Sequence, residues 1–340
     1  MALTAPRDLD RVVAGFLAWQ RARHDDEVLV TGVERPTQGW SSETFLVRAT
    51  VGGRPEGFAL RLPPVGAGLF PTCDLGLQAQ AHAVAATAGV PAPTPVEVVE
   101  DPSWLGSAFL LMPLIAGHVP GEMAAFDPWV RALDDGRRRA LYEHTVDTLV
   151  VLHRHDPAAA DGLPRRGNED ELAWWADYLA WYADGDEAVP ALADALAWCA
   201  DHRPAAEPPP AVLWGDVRLG NIVFADDATV TAVLDWEMAT VGAPEHDLGW
   251  WLGLEAMQDE LVGGRGDGFP SLVDLRARYE AGLGRPLQDL DWYLTFALFR
   301  SAAILTRIGI LQQRAGQSPR MPLRENPVLD HLTRRLQEAP

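Results

Sequence analysis

Residues 212–251 read VLWGDVRLGNIVFADDATVTAVLDWEMATVGAPEHDLGWW. An apolar strand, Ala211–Trp214, breaks at Gly215, and Asp216 follows on a loop. Asn221 then opens a second apolar run, Ile222–Phe224. Asp226 and Asp227 make a turn, and Val230–Leu234 runs back toward Asp235. Two apolar runs around a polar turn read as a hairpin. That hairpin returns Asp235 beside the strand that Asn221 starts. An Asp at a strand end is usually a turn or cap residue, and a lone Asn a turn residue. Three such groups brought together between apolar strands form a candidate site.

Phosphoryl transfer needs just such a set. The protein must align a hydroxyl with the γ-phosphate, accept its proton and hold magnesium on the phosphates. Magnesium takes hard oxygen ligands, few of them from protein. The kinase catalytic loop has an Asp, four residues and an Asn, with a second metal-binding Asp after a hairpin. Asp216, the four residues Val217–Gly220 and Asn221 reproduce the first part, and Asp235 supplies the second. Asp216 is thus the expected catalytic base, with Asn221 and Asp235 as metal ligands.

The combination LWGDVRLGNIVF, VLDWE and PEHDLGWW resembles the aminoglycoside phosphotransferase and choline kinase-like family. Its pattern is HGD, four residues and N, then a hairpin, an Asp often within D-W-E, and a further D-L-A/G. The likeness extends over most of the chain, but its specific motifs sit in 212–251. It implies an α+β, bilobed, protein-kinase-like fold: a small N-terminal lobe with an antiparallel sheet and a larger helical C-terminal lobe. It implies ATP and Mg²⁺ as cofactors, and a structural role for Asp247 in bracing the catalytic loop. Trp214 stands where the family usually has a structural histidine. Trp236 and Glu237, next to the metal Asp, are expected to line the acceptor pocket.

Working outward, residues 1–112 are expected to cover the nucleotide, 113–120 to form a hinge, and 121–340 to form the helical lobe. Val12, Val13, Phe16 and Trp19 recur at helical spacing in Leu9–Arg23. Thr44–Thr50 and Gly57–Leu62 flank Gly52–Gly53 and read as a hairpin. A helix over Leu75–Ala88 stops at Gly89. Val96–Glu100 and Ala108–Met112 follow as short strands. Gly39, Ser41, Ser42 and Thr44 stand where the family places a phosphate-covering turn, and backbone N–H groups there could approach phosphates. Arg61 occupies the place of the family's strand lysine, with Gln78 on the next helix where its acidic partner belongs. Backbone groups at Met112–Leu114 would meet the adenine edge.

The back half reads as helices over Arg137–His153, Glu171–Tyr182, Ala191–His202, Leu272–Ala281 and Asp291–Gln312. Trp174, Trp175, Trp181 and Tyr182 are expected to be core, and His153 to pack or cap at a helix end. Of 340 residues, 48 are acidic and 28 basic, for a formal net charge of −20. Such a surface repels nucleic acid and anionic lipid and tilts the acceptor toward a cation. Cys73 and Cys199 form no CxxC pattern, which argues against a disulfide framework or a structural zinc. The start shows no signal peptide, and no apolar run looks long enough to span a bilayer, so a cytoplasmic address follows by default. The expected partner is a small hydroxylated molecule. The leading alternative is a nucleotide-binding protein with little transfer activity, motivated by Arg61 and Gln78. A metal-dependent hydrolase is a weaker one. Without DFG, APE or a long activation segment, a protein kinase does not fit.

Overall fold

The hairpin at Gly52–Gly53 is the centre of the front lobe. In this computed structural model, which describes residues 7–36, 41–182, 189–319 and 326–338, β1 (Val28–Glu34), β2 (Glu43–Val51) and β3 (Arg54–Leu62) precede β4 (Glu97–Val99) and β5 (Phe109–Pro113). They form one antiparallel sheet in the order β1-β2-β3-β5-β4. Gly52 and Gly53 have φ of 54° and 81°. Two successive positive φ values match the right-handed twist of flanking strands, and glycine adopts them without a Cβ clash. The turn sets the register from Val51 opposite Arg54 to Glu43 opposite Leu62.

Side chains alternate along these strands, as the two-residue period requires. Phe45, Val47, Leu60 and Leu62 point into a core with Val12, Phe16 and Trp19 of helix α1 (Leu9–Arg23). Burying each large apolar side chain contributes about 1.5–3 kcal/mol. The opposite face carries Thr44, Leu46, Ala59 and Arg61 toward the interlobe cleft. Helix α2 (Leu75–Ala88) starts at an Asp74 N-cap and ends at Gly89 in the left-handed region. After β5 the chain crosses to the back lobe, where His118 and Phe224 exchange two backbone hydrogen bonds of 2.8 Å.

The back lobe is helical around a small β core. Its helices are α3 (Pro128–Ala132), α4 (Asp135–His153), α5 (Asn168–Tyr182), α6 (Pro190–Asp201), α7 (Glu245–Val262), α8 (Leu272–Leu283), α9 (Leu290–Arg314) and α10 (Pro327–Glu338). Between α6 and α7 lie β6 (Ala211–Leu213), β7 (Ile222–Phe224), β8 (Val230–Val233) and β9 (Thr240–Gly242), paired as β6–β9 and β7–β8. The bilobed α+β architecture is the one the sequence implied.

Helix α7 was not visible in the sequence. Gly249 and Gly253 lower helix propensity by about 1 kcal/mol each relative to Ala. Packing requires at least the first: a Cβ on Gly249 would lie 2.9 Å from the Tyr293 backbone of α9. A second difference concerns α9, which is long and apolar enough to cross a membrane by length and composition, contrary to the reading of the sequence. Within the fold, 83% of its apolar window is buried. It serves as the central core helix, packed against α5, α6, α7 and α10.

Candidate active site

β6 delivers the chain to the catalytic loop, and α7 holds it there. The Asp247 carboxylate, in the first turn of α7 and 1% exposed, accepts the Trp214 N–H at 2.7 Å and the Gly215 N–H at 2.8 Å. His153 lies between Asp247 Oδ2 (3.0 Å) and the Tyr279 hydroxyl (2.6 Å), so the end of α4 is tied to the same carboxylate. Gly215 has φ of 92°, and a Cβ there would lie 2.7 Å from Met238 Cβ. Only glycine fits that bend. The Trp214 indole N–H donates to the Leu234 carbonyl at 2.8 Å, pinning the end of the hairpin beneath the loop.

Asp216 is held by its own loop. Its Oδ2 accepts from Asn221 Nδ2 at 2.7 Å and from Arg218 Nε at 3.2 Å. The Leu234 N–H donates to the Asn221 carbonyl at 2.8 Å, which sets Asp235 next to the loop. Asp235 itself has φ of 60°, a left-handed backbone that costs a non-glycine residue of order 1–3 kcal/mol. Trp214, Asp216, Asn221, Asp235 and Asp247 are therefore brought together.

A cleft of about 1060 Å³ lies between the lobes. Ser41, Ser42, Thr44, Arg61, Met112 and Leu114 line it, and Asn221 and Asp235 form its floor. Gly39 falls outside the described residues. Arg61 donates to Asp235 Oδ1 at 2.7 Å and Glu237 Oε2 at 2.8 Å, and also to Ser41 and Ser42 at 3.2 Å. Burial, and then the neighbouring Asp235, raises the Glu237 carboxyl.

Three expectations need correction. Gln78 is not the partner of Arg61: its amide lies 4.0 Å from Cys73 Sγ, and it lines a different cavity. Arg61 turns instead to two carboxylates, which a forked cation prefers to one amide. Trp236 does not line an acceptor pocket. It is 1% exposed, with its indole N–H on the Val233 carbonyl at 3.0 Å. The Leu114 N–H is not open to an adenine edge, since it donates to the Gly57 carbonyl at 3.0 Å.

The oxygens of Asp235 and Asn221 suit magnesium. The Asn221 amide nitrogen is used on Asp216, which leaves its carbonyl oxygen as the donor beside a carboxylate. Two hard oxygens, with phosphates and water completing the shell, are what this ion takes. Among the described residues no three His, Cys, Asp or Glu side chains gather as a metal-holding group.

Two further residues in the cleft escaped the sequence reading. Arg218 sits within the four-residue gap of the motif, where a cation between Asp and Asn was the available signal. His82, one turn beyond Gln78, also faces the cleft. Burial, and then the charge on Arg61, pushes it down to about 4, so it is neutral near pH 7.

On the other side of the catalytic loop is a second cavity of about 350 Å³, lined by Phe70, Trp174, Trp175, Glu237, His246 and Arg300 among others. Gly215 contributes to its wall, and Ser41 borders both spaces. The aromatic residues expected to be core divide here. Trp175 is 1% exposed, Trp174 is a partly buried wall residue, and Trp181 is 41% exposed. Arg300 also went unnoticed, although a single cation in the apolar run FALFRSAAIL was a usable signal.

A sheet-bearing front lobe, a helical back lobe and a loop of this geometry between two cavities define a kinase-like phosphotransferase. Residues 32–293 match the model of the phosphotransferase enzyme family, and the chain belongs to that family. A putative aminoglycoside phosphotransferase from Ralstonia eutropha superposes with a TM-score of 0.67 at 24% identity, over 95% of this chain and 94% of that one. The probable acyl-CoA dehydrogenase IBR3 of Arabidopsis thaliana is 27% identical over 79% of this chain but only 35% of its own length. Acyl-CoA dehydrogenase family member 10 of Mus musculus is 29% identical over 78% of this chain and 25% of its own length. The chain thus spans about a quarter to a third of these curated relatives, whose names describe much longer proteins.

Proposed function

We propose that this protein transfers the γ-phosphate of ATP, with Mg²⁺, to a hydroxyl of a small molecule. The observation that carries the reading is the position of the Asp216 loop, between a large cleft and a smaller aromatic-walled cavity. In this scheme the nucleotide lies in the cleft under β2 and β3. Asp216 accepts the proton of the acceptor hydroxyl, general-base work that contributes roughly 10²–10⁴-fold. Asn221 aligns Asp216 through its amide and, with Asp235, would hold magnesium. The ion would neutralise charge on the phosphates when bound. Arg61 and Arg218 add positive charge at the cleft. Asp247 positions the loop through two backbone N–H groups. Residues 113–120 act as the hinge.

The names of the curated relatives favour a second reading of the acceptor. A phosphotransferase domain matched within proteins called acyl-CoA dehydrogenases would act on a hydroxylated acyl compound more readily than on an aminoglycoside.

Thermal melting with ATP, with and without Mg²⁺, tests the nucleotide assignment. A ligand that binds only the folded state raises the melting point, by about 2.7 kcal/mol of stability at a hundred times its Kd. A magnesium-dependent rise that disappears in Asp235→Ala is expected. An equal rise in that variant would remove Asp235 from the metal site. No rise with ATP or GTP would leave the protein without the nucleotide that the reading requires.

A further inference from the structure

The smaller cavity contains a buried cation with no counter-ion among the described residues. Arg300 is 5% exposed and lines the cavity. Its guanidinium lies over Trp250 at 4.9 Å, Trp175 at 5.3 Å and Phe296 at 5.9 Å. Among the described residues its single polar contact is a 3.4 Å approach of Nη2 to the Gly215 carbonyl, and Nε has no partner. An unpaired buried charge is costly, and such groups are normally paired. Here every nearby acid is engaged elsewhere. Glu171 takes Arg166 and the Trp175 indole, Asp247 takes the loop and His153, and Glu237 takes Arg61. Burial lowers the Arg300 guanidinium from its ordinary value, while Glu171, Asp247 and Asp216 act on it more weakly in the opposite sense.

We propose that Arg300 is the anchor for an oxyanion on the acceptor, and that the acceptor is a hydroxylated carboxylate with an apolar body. This rests on the phosphotransferase reading and deepens it. The guanidinium lies over three aromatic rings, and its fork has the shape for bidentate pairing with a planar carboxylate. Phe70 and Trp174 give the cavity an apolar wall for the body of the ligand. The Gly215 carbonyl that Nη2 approaches belongs to the residue before Asp216. A carboxylate on Arg300 therefore anchors the ligand against Gly215, the residue before Asp216. The proposal departs from the tilt toward a cationic acceptor drawn from the net charge, because surface charge and the charge inside one cavity are separate quantities.

The test uses matched probes on the whole chain: phenyllactate and a hydroxyoctanoate, the primary amides of both, and phenylalaninol. Binding is measured by calorimetry, and ADP release is followed with Mg-ATP. The expected result is binding of the carboxylates at least 10-fold tighter than their amides, and preferential turnover of a carboxylate. Arg300→Met keeps the length and packing of the stem and should remove that preference while leaving the Mg-ATP melting shift unchanged. Arg300→Lys, which keeps the charge and loses the fork, should retain part of it and decides the matter if the Met variant does not fold. Amides or phenylalaninol bound and used as well as the carboxylates would overturn the anion site and leave the phosphotransferase reading standing. Arg300-dependent carboxylate binding with no ADP release from any probe, and no nucleotide-induced stabilisation, would do the reverse. An equal loss on every probe in Arg300→Met would make Arg300 a support for the loop alone and end the proposal.

Discussion

The two sides of the catalytic loop are built differently. The cleft side comes mainly from two hairpins, each local in sequence. β2 and β3 set Thr44 opposite Arg61, and β7 and β8 bring Asp235 back to Asn221. The side of the smaller cavity comes from the 64–74 segment and from α5, α7 and α9, whose contributing residues span more than half the chain. Charges differ too. Arg61 of the cleft meets Asp235 on its floor and reaches Glu237 on the cavity side, and Arg218 meets Asp216. The cavity is lined by Asp74, Glu171, Glu237 and Asp247 as well, but among the described residues none of them pairs with Arg300, which meets aromatic faces. A site made of paired charges on local hairpins is suited to a fixed ligand such as a nucleotide. The wall of the cavity draws on helices far apart in the chain, and two of its residues, Gly215 and Asp247, belong to the loop and its brace.

The largest expected effect falls on the loop that separates the two sides. Asp216→Ala should lower turnover by roughly 10²–10⁴-fold and leave Mg-nucleotide binding near that of the parent. Turnover equal to the parent's would mean that another group takes the proton, and the cavities would not be facing one reaction. Next is the brace behind the loop. Asp247→Ala leaves the buried Trp214 and Gly215 N–H groups and His153 without their acceptor. A loss of about 3–5 kcal/mol in denaturant unfolding is expected, the range for breaking a buried charged network. A loss under about 1 kcal/mol would show that the loop keeps its shape without α7.

This contrast explains what could be read from the sequence. α1 and α2 were legible because their apolar spacing and end signals are local: Asp74 and Gly89 bracket α2 as an N-cap and a left-handed stop. The Asp216, Asn221 and Asp235 triad was legible because one loop and one hairpin hold it. β1 was missed because Val28–Glu34 is a half-exposed edge strand with a bulge at Val30–Gly32, and its alternation is weak. Helix α7 was missed because its glycines make sense only against α9. The pairing of Arg61 with Gln78 failed for the same reason. The template supplied a position, but Arg61 reaches Asp235, 174 residues away, and sequence spacing does not measure that distance. Arg300 belongs with these, since its significance depends on the acids around it being already engaged.

The smallest effect separates the two walls by pH. Each side has one buried neutral histidine: His82 in the cleft, held down by burial and then Arg61, and His246 in the cavity, held well below 6.5 by burial and then Arg300. In both, the folded-state value lies below the unfolded one. The unfolded chain therefore binds a proton first as pH falls below about 6.5, and folding stability drops with pH. For His246, whose Nε2 is 3.0 Å from Asn168 Oδ1, the loss between pH 6.5 and 5.5 should be about 1 kcal/mol. His246→Gln should flatten that part of the stability–pH curve. In Arg300→Met the like charge is gone and burial alone remains, so the slope should ease only at the acid end, where the raised His246 value begins to titrate. In the cleft, His82 titrates in the folded protein at about 4, so its contribution levels off there. If denaturant unfolding of His246→Gln shows the same slope as the parent down to pH 5, His246 is already protonated in the fold. The cavity would then hold two cations, a stronger demand for an anion than Arg300 makes alone.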